Sequence, residues 1–111
     1  MKVGIKNQIK KTVVEELTAK VMGSGRLDVF ATPAMVAMME EAAHTSVEAE
    51  LEEGQGTVGT SMTVSHLAAT PVGMEVTCES ELVEVDGRKL VFEIKAMDEA
   101  GLIGEARHER F

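Results

Sequence analysis

The chain has very few aromatic residues and almost no cysteine. Its 111 residues include three Phe, no Trp, no Tyr and one cysteine, Cys78. A single cysteine excludes an internal disulfide and a cysteine-based zinc cluster. With so few rings, we expect the eight Met residues to fill much of the core, because methionine packs adaptably into irregular spaces.

The chain also lacks an excess of positive charge and a long apolar run. Its net charge is −8, which disfavours nucleic acid, although a local basic group can still hold a small phosphorylated ligand. No apolar run is long enough to cross a bilayer, and the first residues, MKVGIKNQIKK, do not resemble a signal peptide. With 44% apolar and 27% charged residues, we expect one globular domain over residues 1–111, located in the cytoplasm and not bound to a membrane.

One long helix is predicted from Pro33 to Glu53. Thr32 is a favourable N-cap, Pro33 suits the first helical position, and Gly54 can end the helix in a left-handed conformation. Residues 34–39 are apolar on every side, whereas the second half is acidic. We therefore expect the first half to be buried and the second half to lie in water.

The remaining segments have the period of strands. Residues 1–11 are interpreted as a loose basic lead-in and residues 19–28 as a loop. The predicted strands are Thr12–Thr18, Thr57–Ala69, Met74–Val85, Lys89–Met97 and Leu102–Phe111. Asp86-Gly87 indicates a tight hairpin turn in which both residues have positive φ. In the second of these strands, Val58, Met62, Val64 and His66 share one face.

This order of elements predicts an α+β fold. After the helix, four strands joined by short connections favour an antiparallel meander, and each strand has one apolar face. One apolar helix is enough to cover such a sheet, so we expect a hotdog fold, with about five strands wrapped around one long central helix. The acidic outer face and the strand edges also suit a homodimer or a higher homo-oligomer.

A hydroxyl, a carboxylate and an imidazole are predicted to meet near the start of the helix. Glu40 lies ~12 Å along the helix axis from Thr32, and helical side chains lean towards the N-terminus. His66 faces the helix from its strand. Such a set can activate water or supply a nucleophile. Each residue also has an ordinary interpretation: Thr32 as a cap, Glu40 as a solvated carboxylate and His66 as a core histidine.

A metal site is an alternative interpretation of the same helix. Glu40, His44 and Glu48 are spaced four residues apart on one helix face and are possible metal ligands. The same spacing is typical of a charge-paired surface. No second cluster supplies further ligands, and the chain contains neither a phosphate-binding glycine loop nor a G-x-S-x-G motif. We therefore expect no metal and no cofactor.

Several short motifs together resemble the fluoroacetyl-CoA thioesterase family of hotdog proteins. In chain order they are VFAT at 29–32, Glu40, GQGTVGT at 54–60, SHLAATPVG at 65–73, VDGRKL at 85–90 and IGEARHER at 103–110. The resemblance covers the chain from Val29 to Arg110. It implies hydrolysis of an acyl-CoA thioester, with coenzyme A as part of the substrate, in a homodimer whose sites lie at the subunit interface.

The resemblance also assigns roles to individual residues. The catalytic residues fall on Thr32, Glu40 and His66. Glu40 is implied as nucleophile or general base, His66 as the group that assists departure of the thiol, and Thr32 as the residue that positions Glu40. Gly59 and Arg110 match substrate-binding residues, and Arg110 shares a strand face with His108.

One departure from the family concerns the acyl group. The fluoroacetate-specific enzyme has a phenylalanine-bearing lid before the helix, whereas here that region is VMGSGRLD and the first aromatic residue is Phe30. This difference favours a broader or different short acyl group. Candidate contacts for the phosphates of coenzyme A are Arg88, Lys89, Arg107 and Arg110.

Two other functions on the same fold remain as alternatives. A non-catalytic acyl-CoA-binding or regulatory module would bind acyl-CoA without releasing thiol. A hydratase acting on enoyl-CoA would need an Asp–His arrangement that the sequence does not provide.

Overall fold

The computed structural model describes residues 1–111 and contains one sheet and one long helix. The helices are α1 (Ala19–Met22) and α2 (Thr32–Val47), and the strands are β1 (Lys6–Thr12), β2 (Gly59–His66), β3 (Glu75–Asp86), β4 (Lys89–Asp98) and β5 (Gly101–Arg110). The strands form a single antiparallel sheet in the order β1-β3-β4-β5-β2. A five-stranded sheet packed around one long helix confirms the predicted architecture. None of the helices has the length and hydropathy needed to cross a membrane.

The core lies between α2 and the face of the sheet that packs against it. Met35, Met38 and Met39 are fully buried on the helix, and Phe92 is fully buried on β4. Cys78 and Leu82 on β3 belong to the same cluster of 19 buried residues. The predicted use of methionine as core filler is therefore confirmed for these three residues. The expectation that residues 34–39 are buried on every side was wrong, because Ala37 is exposed and Val36 is half-buried, so α2 buries one stripe and not its whole circumference.

The first strand begins earlier than predicted. Residues 6–12 pair with β3, whereas Glu15–Leu17 form a 3₁₀ turn, so the prediction of a strand over 12–18 was wrong. The inward position of Asn7 explains why this strand has no clear apolar alternation. Its amide Nδ2 donates to the carbonyl oxygen of Ala42 at 3.0 Å and to the Thr45 hydroxyl at 2.9 Å, which ties β1 to the helix.

Both ends of the long helix differ from the prediction. Ala31 is the N-cap, and the Thr32 hydroxyl makes no capping hydrogen bond. The helix ends at Val47 and continues only as a 3₁₀ turn over Glu48–Glu50, although Gly54 does have a positive φ of 83°. The acidic residues that follow Val47 would crowd the negative end of the helix dipole, which disfavours a longer helix.

The strands after the helix do not form a meander of four. β3, β4 and β5 are consecutive neighbours, but β2 pairs with β5 at the far edge of the sheet. Val58 precedes β2 and is 64% exposed, so it does not share the inward face of Met62, Val64 and His66. β2 is therefore an edge strand whose outer backbone edge has no partner within the chain.

The β3–β4 hairpin turn also differs in detail. Asp86 pairs with Lys89, so the two central residues are Gly87 and Arg88. Only Gly87 has a positive φ, of 61°, and no residue other than glycine has one. A glycine at the first central position is typical of a type II′ turn, which needs positive φ at that position alone.

Candidate active site

Thr32 and His66 meet where α2 begins and β2 ends. The Thr32 hydroxyl oxygen lies 2.7 Å from His66 Nδ1. The position of Thr32 is fixed by the first turn of α2, in which the Ala31 carbonyl accepts a hydrogen bond from Met35 N. The position of His66 is fixed because it is the last residue of β2 and lies on the inward face of that strand. Two of the three residues predicted to be catalytic are therefore brought together.

The second ring nitrogen of His66 has no partner within the chain. Nε2 is buried and makes no hydrogen bond. Burial lowers the pKa of His66 below its ordinary value, although an interaction with the backbone of Ala68 acts in the opposite direction. The imidazole is thus neutral at pH 7, with one nitrogen oriented by Thr32 and the other free to bond to a ligand or to another chain.

A cavity of about 290 Å³ lies beside this pair. Thr32 and His66 line it, together with Phe30 and the segment Leu67–Ala69. Ala19 and Ser24, in the segment that precedes the long helix, also line it. The stretch VMGSGRLD contributes only Ser24 to this wall, and the aromatic residue that lines the cavity is Phe30, close to the start of the helix.

Glu40 lies with a different group of residues. Its Oε2 accepts from Arg110 Nη1 at 3.3 Å, and a Cβ atom placed on Gly59 would lie only 2.7 Å from the same oxygen. Gly59 thus leaves the space that the carboxylate occupies. The Glu40 side chain remains 41% exposed, so this ion pair is open to a ligand on one side.

Arg110 is buried beneath this carboxylate. It is 6% exposed, and besides Glu40 it is held by Thr57. Arg110 Nε donates to the Thr57 hydroxyl at 2.8 Å, and Nη2 donates to the Thr57 carbonyl at 3.0 Å. A buried guanidinium is costly unless it is paired and hydrogen-bonded, and here both conditions are met.

His108 is a further buried member of the group. It is 1% exposed, with Nδ1 2.8 Å from the Ser61 carbonyl oxygen and Nε2 3.1 Å from Arg110 Nη1. The predicted shared face of His108 and Arg110 is therefore confirmed. His108, however, contacts Arg110 and the β2 backbone from within the protein, not from an exposed position.

Within one chain the two groups lie far apart. Gly59, beside Glu40, and His66, beside Thr32, are the first and last residues of β2. At ~3.3 Å per residue the two positions are separated by roughly 20 Å along the strand. The structure thus brings Thr32 and His66 together but leaves Glu40 with Gly59 and Arg110. In one chain the Thr32 hydroxyl contacts His66 and not Glu40.

The residues of the alternative metal site do not converge. His44 Nδ1 pairs with Glu48 Oε1 at 3.0 Å, while Glu40 turns to Arg110. No group of three or more His, Cys, Asp or Glu side chains has a geometry suited to a metal ion. The spacing of His44 and Glu48 corresponds to an ordinary i, i+4 helix pair.

Two of the cations considered for the coenzyme A phosphates have other partners. Lys89 Nζ pairs with Glu109 at 3.0 Å, and Arg110 is buried as described above. Arg88 lines a different cavity, of about 500 Å³, together with Gln55, Thr57 and Phe111. Arg110 is thus placed to act on the Glu40 carboxylate, whereas a phosphate contact would need an exposed cation.

Thr57 and the Ser61 carbonyl were not identified from the sequence. Thr57 lies before β2, and nothing in its local pattern indicates contact with a residue 53 positions away. The Ser61 carbonyl follows a register shift between Gly59 and Ser61, a bulge of the kind often found near functional sites. The GQGTVGT motif is the only local signal, and it indicates an irregular backbone without naming its partners.

Comparison with known proteins gives a consistent result. The chain matches the sequence profile of the fluoroacetyl-CoA-specific thioesterase family over residues 13–111. A fluoroacetyl-CoA thioesterase from Streptantibioticus cattleyicolor is 45% identical over 83 residues, which span 75% of this chain and 60% of that relative's length.

Solved structures agree with this match. A variant of the fluoroacetyl-CoA-specific thioesterase FlK, in complex with fluoroacetate and CoA, aligns with a TM-score of 0.94 at 36% identity over 99% of this chain and 93% of the other. A thioesterase superfamily member from Thermus thermophilus aligns with a TM-score of 0.89 at 30% identity, over 96% and 80%. A hot-dog-like protein from Thermanaerovibrio acidaminovorans also reaches 0.89, at 27% identity over 97% and 80%. The predicted fold is thus confirmed, and the family profile matches residues 13–111 of the chain. The chain therefore belongs to the fluoroacetyl-CoA-specific thioesterase family.

Proposed function

We propose that the protein is an acyl-CoA thioesterase whose active site forms between two copies of the chain. The observation that carries this proposal is the split of the three family positions, with Thr32 and His66 at one end of β2 and Glu40 at the other. Each group has a polar atom that can still bind a ligand. On His66 it is the buried Nε2, which has no hydrogen-bond partner, and on Glu40 it is the half-exposed carboxylate.

The edge strand β2 offers a way to join the two groups. Edge strands have unpaired backbone groups that can pair with another chain. If β2 pairs antiparallel with β2 of a second copy, the two-fold axis places its Gly59 end opposite the His66 end of the other copy. Glu40 of one copy then faces Thr32 and His66 of the other, and each dimer has two such sites.

The chemistry of the site follows from these groups. Water adds to the thioester carbonyl carbon, the carbon–sulfur bond breaks, and the products are a carboxylate and the thiol of coenzyme A. Glu40 either takes the proton of the attacking water or attacks the carbonyl itself, in which case water then hydrolyses the resulting anhydride. When the Thr32 hydroxyl donates to His66 Nδ1, Nε2 carries the proton and can donate a hydrogen bond that stabilises the departing thiolate, which then takes up a proton from Glu40 or from water. These steps use only side chains of the protein.

We further propose that the acyl group is short and that the enzyme is not restricted to fluoroacetyl-CoA. The support is the cavity of about 290 Å³ beside Thr32 and His66, to which the VMGSGRLD stretch contributes only Ser24 and in which Phe30 is the one phenylalanine. A pocket lined mainly by small apolar side chains discriminates weakly between short acyl groups, since one methylene in an apolar pocket changes transition-state binding by only ~1–3 kcal/mol.

Thiol release from acyl-CoAs of increasing chain length tests the proposal. Wild type should release thiol fastest from short acyl groups, whereas Glu40→Gln and His66→Ala should each lose at least about a hundredfold in kcat while keeping the wild-type circular-dichroism spectrum. Glu40→Gln should also unfold at a somewhat lower temperature, because it removes the charge paired with the buried Arg110. Saturable acyl-CoA binding without thiol release by wild type would instead identify a binding module. Full activity in Glu40→Gln would remove that residue from the mechanism.

A further inference from the structure

The hydrogen bonds of His108 define which of its ring nitrogens carries the proton. The Ser61 carbonyl oxygen, 2.8 Å from Nδ1, can only accept, so Nδ1 must donate. The Arg110 guanidinium, 3.1 Å from Nε2, can only donate, so Nε2 must accept. The two contacts together select a neutral imidazole protonated on Nδ1.

The same Arg110 nitrogen also holds Glu40. Nη1 has two hydrogens, one directed at Glu40 Oε2 at 3.3 Å and one at His108 Nε2 at 3.1 Å. With Thr57 holding Nε and Nη2, the guanidinium plane is held on both of its edges. A continuous chain of hydrogen bonds thus runs from the β2 backbone at Ser61, through the imidazole and the guanidinium, to the carboxylate.

We propose that His108 is a positioning residue, which acts through Arg110 to fix the Glu40 carboxylate for reaction. This inference rests on the proposed thioesterase activity. His108 itself does not reach the substrate, because it is 1% exposed and lies in the interior beside Phe92, whose ring centroid is 6.3 Å from its own. Its contribution is an acceptor of fixed direction, which preorganises a charged group beside the reacting atoms.

Protonation of His108 would break this series of hydrogen bonds. The groups that face it are Arg110 on β5, Glu40 on α2 and the uncharged Ser61 carbonyl and Phe92 ring on β2 and β4. Burial lowers the pKa of His108 and the charge of Arg110 acts in the same direction, while the bond to Ser61 and the charge of Glu40 oppose them. The neutral form of His108 therefore persists at pH 7. At acidic pH a second proton, on Nε2, would point at the N–H donors of Arg110 Nη1 and would remove the acceptor that Arg110 needs.

Two substitutions separate positioning from simple packing. The side-chain amide of Gln reaches the place of the imidazole Nε2, so His108→Gln keeps an acceptor for Arg110. The amide of Asn reaches only the place of Nδ1, so His108→Asn keeps the bond to Ser61 and loses the acceptor. We expect kcat to fall by about tenfold or more in His108→Asn and by less than about threefold in His108→Gln, because one hydrogen bond to a charged group is lost only in the first.

The pH profile supplies a second readout. Because His108→Gln removes a titrating group, its acid limb of log kcat against pH should be less steep than that of wild type by about one proton. Equal losses of kcat in both variants, with an unchanged acid limb, would overturn the positioning role and leave His108 as a packing residue.

A measurement without turnover keeps this inference separate from the proposed function. In wild-type protein labelled with ¹⁵N in histidine, the ring nitrogens of His108 should show protonation on Nδ1 at pH 7.5. That tautomer should persist even if no acyl-CoA is hydrolysed, in which case the thioesterase assignment fails but the hydrogen-bond chain stands. Protonation on Nε2 would contradict the hydrogen-bond series from Ser61 to Glu40, whether or not the protein hydrolyses acyl-CoA.

Discussion

Gly59 shows at the scale of one residue how little space surrounds the Glu40 carboxylate. A Cβ atom at this position would lie 2.7 Å from Glu40 Oε2, 3.1 Å from His108 Cε1 and 3.3 Å from Arg110 Nη1. The most flexible of these neighbours is the carboxylate, so a methyl group would displace it first. Gly59 therefore controls the position of Glu40.

We expect Gly59→Ala to lower kcat by about a hundredfold, the effect typical of a misplacement of ~1 Å in a catalytic group. The thermal transition should change little, since the site is half-exposed at Glu40. Gly56→Ala is the matched control, because a Cβ atom there meets nothing within 4 Å and Gly56 has no positive φ. Equal kcat in the two variants would show that the space at Gly59 is not needed for reaction.

The sequence predicts some side-chain positions and not others, because local periodicity indicates which face of an element a side chain lies on but not which distant residue it contacts. Strand alternation was sufficient to turn His66 towards the helix, where it meets Thr32. The same logic did not locate Glu40, because helix spacing gives its direction along α2 but not the partner that holds it. That partner, Arg110, is 70 residues away and reaches Glu40 only through sheet pairing.

At the scale of elements, β2 is the strand on which the proposed site depends. The sequence does not predict its position next to β5, because short connections favour pairing of neighbouring strands, whereas the connection of residues 67–74 crosses from one side of the sheet to the other. The order β1-β3-β4-β5-β2 leaves the strand that carries Gly59 and His66 at an open edge. The sequence could predict the strand but not its place, since placement depends on pairings distant in the chain.

Charge on this edge should weaken the dimer. Thr63 is exposed near the middle of β2, so in the proposed antiparallel pairing its two copies lie close to the two-fold axis. Thr63→Lys should raise the dimer dissociation constant in sedimentation velocity, because two lysines then repel across the axis and edge lysines disfavour strand pairing. Thiol release should fall in proportion to the dimer fraction.

Thr12→Lys provides the control for that experiment. Thr12 is exposed on β1 at the opposite edge of the sheet, beside Glu75 of β3. The same added charge there should leave both the dimer and the activity at wild-type levels. A fully monomeric Thr63→Lys variant with undiminished kcat would mean that one chain holds a complete site.

At the scale of the whole molecule, the buried thiol of Cys78 links the stability of the fold to alkaline pH. The residue is fully buried in the core, and burial raises the pKa of its thiol to about 12, against a smaller opposing effect of Lys11. An unfolded chain ionises the thiol at a pKa of ~8.5. The unfolded state therefore binds fewer protons than the folded state between these two values, and stability falls as pH rises.

We expect the free energy of unfolding in urea to fall by about 1.4 kcal/mol per pH unit above pH 9 from this group alone. Cys78→Ala is the reference, because lysines and other groups titrate equally in both proteins. The difference between wild type and Cys78→Ala should be constant below pH 8 and should shrink steadily from pH 9 to 11. A difference that does not change with pH would show that the thiol ionises freely in the folded protein.

Mixing two inactive variants tests the shared active site most directly. Glu40→Gln and His66→Ala are each inactive alone in this account, but a dimer with one copy of each has one site with both Glu40 and His66 intact. After denaturation and refolding of an equal mixture, about half of the dimers should be mixed, so thiol release should return to about one quarter of the wild-type rate. No recovery from a mixture that demonstrably contains mixed dimers would contradict a site built from two chains.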